Sequence, residues 1–306
     1  MTTVRVVRTP TADDAAALHA LADTIEARDG VSPFGDETWS ALDGLAEHDH
    51  FALFAGDGPS GSAAAHLARH HAEEWSLEVA SIDPDDGALR GLVDQALDTV
   101  AQHGGGHVTW WMHGTAAWVD TLALEAGFDH ERDLLQLRVP LPLPSPAKWP
   151  DDVSVRDFEV GRDEAAWVAV NNRAFVGHPE QGNWTVDTIL EREREPWFDP
   201  AGFLLAFDAD GLAGFCWTKV HPADLPREPN ALGEIYVIGA DPRWHGRGLG
   251  RALTNGGLES LAERGITVGM LYVDGDNEPA VGLYRALGFT DHRVDRAYGL
   301  TVGATP

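Results

Sequence analysis

The stretch from Gly233 to Arg251, GEIYVIGADPRWHGRGLGR, constrains this chain more than any other. It reads as an apolar strand, a turn at Asp241-Pro242, and a glycine- and arginine-rich loop opening onto a helix that starts near Leu249. Such a loop leaves free backbone N–H groups at the positive end of the helix dipole, an arrangement suited to a pyrophosphate. Gly246, Gly248 and Gly250 allow the backbone to approach an anion, and Arg243, Arg247 and Arg251 add charge. Spacing excludes two common phosphate loops. A Walker loop ends in Gly-Lys-Ser/Thr, which is missing, and a dinucleotide fingerprint needs a third glycine where Arg251 stands. The plain alternative is a glycine-rich turn with solvated arginines.

A second element follows at Leu271 to Phe289, LYVDGDNEPAVGLYRALGF. Met270 to Val273 is a short apolar run fit for a buried strand, and Asp274-Gly275-Asp276 supplies turn chemistry. Asn277 is a good N-cap, and Pro279 falls in the first helical turn, where a missing N–H costs nothing. Val281, Tyr284 and Leu287 continue the helix to its glycine stop at Gly288-Phe289.

The pattern R-x-x-G-x-G after a strand, followed by strand, Asn-capped helix and an L-Y-x-x-x-G-F ending, resembles the GNAT family of N-acetyltransferases. That resemblance implies an α/β (α+β) chain with a mixed, mostly antiparallel central sheet flanked by helices, and acetyl-CoA as co-substrate. It assigns coenzyme contacts to Ile238, Gly239 and Ala240 at the strand end. The loop contributes His245, Gly246, Arg247, Gly248, Leu249, Gly250 and Arg251. The second helix contributes Asn277, Glu278, Pro279, Ala280, Val281 and Gly282.

At 306 residues, with 43% hydrophobic residues and 11 tryptophans, the chain has material for two globular domains. No apolar run approaches the length of a membrane span, and MTTVRVVRTPTADD lacks the apolar region of a secretion signal. A single cysteine, Cys216, leaves no internal disulfide and no Cys/His metal pattern, so a cytoplasmic protein without a bound metal is expected. A net charge of −27 argues against nucleic acid or an anionic membrane as partner. A monomer acting on a small molecule is the simple expectation.

Two halves echo one another. Asp83-Pro84 and Asp241-Pro242 lie 158 residues apart, and Gly127-Phe128 and Gly288-Phe289 lie 161 apart. Such near-equal offsets suggest duplication. Each half opens alike, with a strand (Val4 to Val7; Val153 to Arg156) and then an Asp- and Ala-rich helix (Asp13 to Arg28; Asp163 to Phe175). The five prolines of Arg138 to Pro150 break regular structure. The expected division is a first GNAT-like domain over residues 1–143, a linker over 144–150 and a catalytic domain over 151–306. The first half carries DPDDGALRGL where the coenzyme loop would be, and Asp85 and Asp86 would repel a pyrophosphate. It is therefore expected to serve as a scaffold that has lost the coenzyme or binds it weakly.

The long segments NNRAFVGHPEQGNW, EPWFDPAGFLLAF, GFCWTKVHP and GEIYVIGADP, with DGVSPFGDE in the first half, resemble the mycothiol synthase family of tandem-domain GNAT enzymes. The resemblance implies acetylation of the cysteinyl amine of desacetylmycothiol. It assigns substrate contacts to Glu180, Lys219, Glu234 and Tyr272, and to Asp36, where the family usually carries glutamate. Other readings stay open for each. Glu180 could be a solvated turn carboxylate, Lys219 a strand-edge lysine, Asp36 a helix cap, and Tyr272 a core residue. Glu234 is the strongest, because a carboxylate opening an apolar strand has little structural reason to be there.

The chemistry assigns Glu234 as general base and backbone N–H groups near Val237-Ile238 to the carbonyl oxygen. Tyr284, two helical turns beyond Asn277, becomes the acid for the departing thiolate. Cys216 is read as core packing. A GNAT enzyme for another amine and a non-catalytic acyl-CoA sensor remain the alternatives.

Overall fold

Each half of the chain runs through the same succession of elements. The computed structural model describes residues 3–42, 49–56, 61–71, 73–83, 87–178, 181–223 and 230–305, with the backbone alone for Asp36 and His71. The first series is β1 (Val4–Arg8), α1 (Ala12–Asp29), α2 (Asp36–Leu42), β2 (His50–Ala55), β3 (Ala63–His71), β4 (Glu74–Ser81), α3 (Leu89–Gln102), β5 (Gly106–Met112), α4 (Ala117–Glu125) and β6 (Asp129–Pro140). The second is β7 (Ser154–Asp157), α5 (Glu164–Ala174), α6 (Val186–Arg192), β8 (Phe203–Asp208), β9 (Gly211–His221), β10 (Leu232–Ala240), α7 (Leu249–Glu263), β11 (Val268–Asp274), α8 (Glu278–Ala286) and β12 (Thr290–Val302). The repeated order carries the internal repeat that the paired dipeptides suggested.

Two compact units result, and their limits depart from the expected division. Unit 1 is Met1–Leu135 with Asp274–Asp276 and Arg293–Pro306, and unit 2 is Gln136–Val273 with Asn277–His292. The reason is strand pairing. In unit 1 the sheet order is β1-β2-β3-β4-β5, and then β12, whose Arg296 to Val302 pair antiparallel with Met112 to Gly106 of β5. In unit 2 the order is β7-β8-β9-β10-β11, with β6 following. Among the described ladders, β4–β5 in unit 1 and β10–β11 in unit 2 are parallel, and β1–β2, β2–β3, β3–β4, β5–β12, β7–β8, β8–β9 and β9–β10 are antiparallel.

The proline-rich stretch belongs to unit 2 and packs there. Ala147 donates its N–H to Glu259 of α7 at 2.5 Å. A Cβ at Gly256 would meet the Trp149 ring at 2.6 Å, so α7 needs glycine there for the tryptophan to lie on it.

The core of unit 1 has two parts. One gathers Leu89, Leu92, Val93 and Ala96 of α3 with Trp75, Trp110 and Phe128, and the other gathers Leu18, Leu21 and Ile25 of α1 with Phe34 and Phe54. The core of unit 2 is aromatic. Trp217 of β9 stacks on Phe203 of β8 at 4.5 Å, and Trp167 of α5 meets Phe203, Phe215 and Trp217 edge-on. Rings of this size bury large apolar areas and fix the angle at which α5 crosses the sheet. No helix of the described residues is long and apolar enough to cross a membrane.

Candidate functional site

The glycine-rich loop of unit 2 is held at its base and open at its tip. Asp241, buried at the end of β10, accepts from the N–H of Arg243 at 3.2 Å and from both Nε and Nη2 of Arg173 at 2.9 and 2.7 Å. Trp244 is buried and donates its indole N–H to Asp208 at 2.7 Å. Beyond these anchors His245, Gly246, Arg247 and Gly248 are exposed. Gly246 and Gly248 adopt φ of 73° and 85°, in the left-handed region that glycine tolerates without strain. Gly248 is the N-cap of α7 and has no side chain to satisfy the first-turn N–H groups, so these point outward for an anion.

The three arginines divide their work differently from the expectation. Arg243 is committed to the protein, bonding Asp208 and the Leu212 carbonyl at 3.1 Å each. The Arg247 guanidinium carbon stands over the Trp244 ring, 3.6 Å from its centroid, and the group pairs with exposed Asp152 at 3.1 Å. Arg251, on the first turn of α7, is exposed.

The parallel β10–β11 ladder runs from Leu232↔Val268 to Ile235↔Leu271 and ends there, although both strands continue. At the same point the β9–β10 register shifts between Ile235 and Val237. A bulge of this kind re-aims the strand and frees ladder groups. It lies beside the Val237-Ile238 backbone to which the oxyanion role was assigned. Ile238 and Ala240 are half-buried, and Gly239 packs so closely on Phe215 that a Cβ would meet the ring at 2.9 Å. In unit 1 the β3–β4 register is unbroken from Ala63↔Ser81 to Arg69↔Trp75.

Glu234 is buried on β10, facing Lys219 across the β9 ladder and Met270 across the β11 ladder. Its Oε2 is 2.7 Å from Nε2 of His221. His221 stands two residues after Lys219, and strand periodicity puts both on one face. β9 lies between β8 and β10, so Lys219 is not on an outer strand of the sheet. Its ammonium sits 5.0 Å from the Trp197 ring and 5.8 Å from the Tyr236 ring, two cation–π contacts that were not foreseen. Tyr272 accepts from Gln136 at 2.6 Å through its hydroxyl, so it is polar-bonded at its tip and not simply core.

Two neighbouring asparagines hold Gln181 and Trp184. Asn171 donates to the Gln181 carbonyl at 2.7 Å, and Asn172 bonds both N–H and C=O of Trp184 at 3.1 and 2.8 Å. Glu180 itself lies outside the described residues, as do Asp85 and Asp86 of the first half. Asp36 opens α2, but its side chain is outside the described atoms.

On α8, Asn277 caps the helix by accepting from the Ala280 N–H at 3.3 Å, with Glu278 and Pro279 exposed in the first turn and Gly282 exposed one turn on. Val281 and Tyr284 are buried. Burial, with a smaller contribution from Cys216, holds the Tyr284 phenol far above its ordinary range, so it keeps its proton at any physiological pH. Cys216 is fully buried and its thiol is pushed up to about 12, which removes it as a nucleophile.

Unit 1 has a cavity of its own, of about 620 Å³, where β4 and β5 end; Ser81, Met112 and His113 line it, with Arg28 at its edge. Beside it lies a buried polar network. Glu78 accepts from Thr38 at 2.5 Å and from the Gly35 N–H at 3.0 Å, and it pairs with His113 at 2.6 Å.

The acetyltransferase (GNAT) family pattern matches residues 173–289. The mycothiol acetyltransferase of Thermobispora bispora is 43% identical over 97% of this chain and 99% of its own length. A GCN5-related N-acetyltransferase from Sphaerobacter thermophilus superposes with a TM-score of 0.78 at 21% identity, covering 100% of this chain and 98% of that one. A tandem GNAT protein from the clavulanic acid biosynthesis pathway gives 0.71 at 15% identity, covering 99% and 100%. At those identities the two solved structures speak for the fold, which is that of tandem GNAT units.

Proposed function

Because this chain belongs to the mycothiol acetyltransferase family of GNAT enzymes, we propose that it moves the acetyl group of acetyl-CoA onto the cysteinyl amine of desacetylmycothiol, giving mycothiol and CoA. The observation that carries the reading is Glu234. A buried carboxylate stands where β10 and β11 part, one turn-and-loop upstream of an exposed helix N-terminus. The open N–H groups before α7, with exposed Arg247 and Arg251, fit the coenzyme pyrophosphate. The reaction belongs in the cytoplasm, where acetyl-CoA is made.

The steps need few groups. Glu234 takes a proton from the substrate ammonium, directly or through water, and the neutral nitrogen attacks the thioester carbonyl carbon. The C–N bond forms, and the oxygen gains charge against backbone N–H groups freed at the β10 bulge. The C–S bond then breaks, the thiolate takes a proton from Tyr284, and the nitrogen gives up its second proton to become the amide; that proton returns, through water, to the Tyr284 phenolate, while Glu234 releases its own to solvent. Each proton transfer contributes roughly 10²- to 10⁴-fold. Holding amine and thioester together contributes more. Lys219, Tyr272, Glu180 and Asp36 are assigned to the sugar, inositol and cysteine portions of the acceptor.

The test is thiol release by the purified protein with acetyl-CoA and desacetylmycothiol, with the product identified by mass. Release that depends on desacetylmycothiol is expected. Equal or better turnover with an aminoglycoside or peptide amine would overturn the acceptor assignment, and acetyl-CoA binding without turnover of any amine would indicate a sensor.

A further inference from the structure

We infer that His221 is a positioning residue for acetyl transfer, acting through Glu234; the inference rests on the reading of Glu234 as base. The pair is built into the strand ladder. Leu232 of β10 is in register with His221 of β9, and Glu234 with Lys219, so both cationic-capable side chains of the β9 end share the face of Glu234. Lys219 opposite is turned over the rings of Trp197 and Tyr236. On the β11 side the register partner of Glu234 is apolar Met270. The hydrogen bond to Glu234 therefore comes from His221, at 2.7 Å between Nε2 and Oε2.

The geometry has a chemical consequence. A carboxylate whose side chain is 10% exposed has little water to orient it, and a carboxylate free to rotate presents its lone pairs in many directions. The His221 Nε2–H occupies Oε2 and so fixes the carboxylate plane. Oε1 is left for the amine proton. The imidazole touches neither thioester nor amine in this scheme, and it gains or loses no proton in the cycle.

A double-mutant cycle tests this, with kcat, KM for both substrates and the thermal midpoint measured for each protein. His221→Phe, which keeps a ring and removes the donor, is expected to lower kcat about ten- to a hundredfold, the range for a hydrogen bond to a charged group. KM for acetyl-CoA should stay within about twofold, since the coenzyme loop is untouched. His221→Gln, which retains an N–H donor, should recover most of the loss. In the Glu234→Gln background, His221→Phe should cost little more, because the group it positions is already gone. Should the phenylalanine variant fail to fold, His221→Asn supplies the missing arm, its shorter amide falling short of Oε2. Unchanged kcat in His221→Phe, no rescue by glutamine, or losses that multiply in the double variant would overturn the inference. If Glu234→Gln alone leaves turnover intact, the base assignment falls first and the role of His221 with it. A normal effect of Glu234→Gln with none of His221→Phe sinks this inference alone.

Discussion

Lys219 and Glu234 stand opposite one another in the β9–β10 ladder, yet their charges are spent on different neighbours. The ammonium lies over Trp197 and Tyr236, and the carboxylate is bonded by His221. A cation parked on two rings is only partly dehydrated, so it can meet a hydroxyl-rich acceptor without first breaking a buried ion pair. Lys219→Met keeps the stem over the rings and removes the charge. It is expected to raise KM for desacetylmycothiol about tenfold while KM for acetyl-CoA changes little. Steady-state kinetics with each substrate varied would check this, and an equal rise in both constants would count against an acceptor role.

Glu234→Gln keeps the shape and loses the base. The rate at neutral pH should fall by about 10²-fold or more, with acetyl-CoA affinity retained. Part of the loss should return at higher pH, where more of the amine is already neutral. Turnover equal to that of the parent would leave Glu234 with no proton to carry.

The local parts of this site were legible in the sequence and the long-range parts were not. Glycine at positive φ, Asn277 as cap and Asp241 as turn residue act within a few residues of themselves, so α7 and α8 begin where their chemistry says. Strand partners are chosen across the whole chain. Nothing near Arg296 announces that it pairs with Met112 and carries the chain's end into unit 1. The acceptor of Arg243 is likewise distant, Asp208 lying 35 residues before it, so the loop's own sequence does not show where that guanidinium bonds. His221 lies between these cases. Period-2 alternation put it beside Lys219, but only the fold brings Glu234 to its Nε2.

The coenzyme loop can be tested at Gly248, where open space surrounds a residue with φ of 85°. Gly248→Ala meets no atoms and should cost only the strain of a left-handed backbone, roughly 1–2 kcal/mol. Gly248→Asp adds a carboxylate where the pyrophosphate is assigned, at the N-terminus of α7. Calorimetry should find acetyl-CoA binding at unit 2 weakened moderately by alanine and abolished by aspartate, with activity lost in parallel. Equal binding by the two variants would show that charge at this position is immaterial.

Unit 1 should carry a pH dependence of its own through His113. The ring stands 2.6 Å from Glu78 and 3.7 Å from Asp295, both buried. Burial alone would discharge it, but the two carboxylates outweigh that and raise it from 6.5 to about 9. Glu78 and Asp295 are each pushed up by burial, and His113 with their other donors more than reverses this, holding them below the ordinary range. For the imidazole, whose folded pKa is raised, the stabilisation is complete below about 6.5 and fades as pH climbs towards about 9. For the carboxylates it is present above their unfolded values near 4.5 and 3.8, and disappears as pH falls through the depressed folded ones. The contribution of the triad is therefore largest between about pH 5 and 6.5. His113→Gln removes the charge and keeps a polar group. The difference in thermal midpoint between parent and variant should shrink steadily from pH 6.5 to 9, whatever the rest of the chain does over that range. A difference that stays constant across the window would mean that His113 is not held as an imidazolium between Glu78 and Asp295.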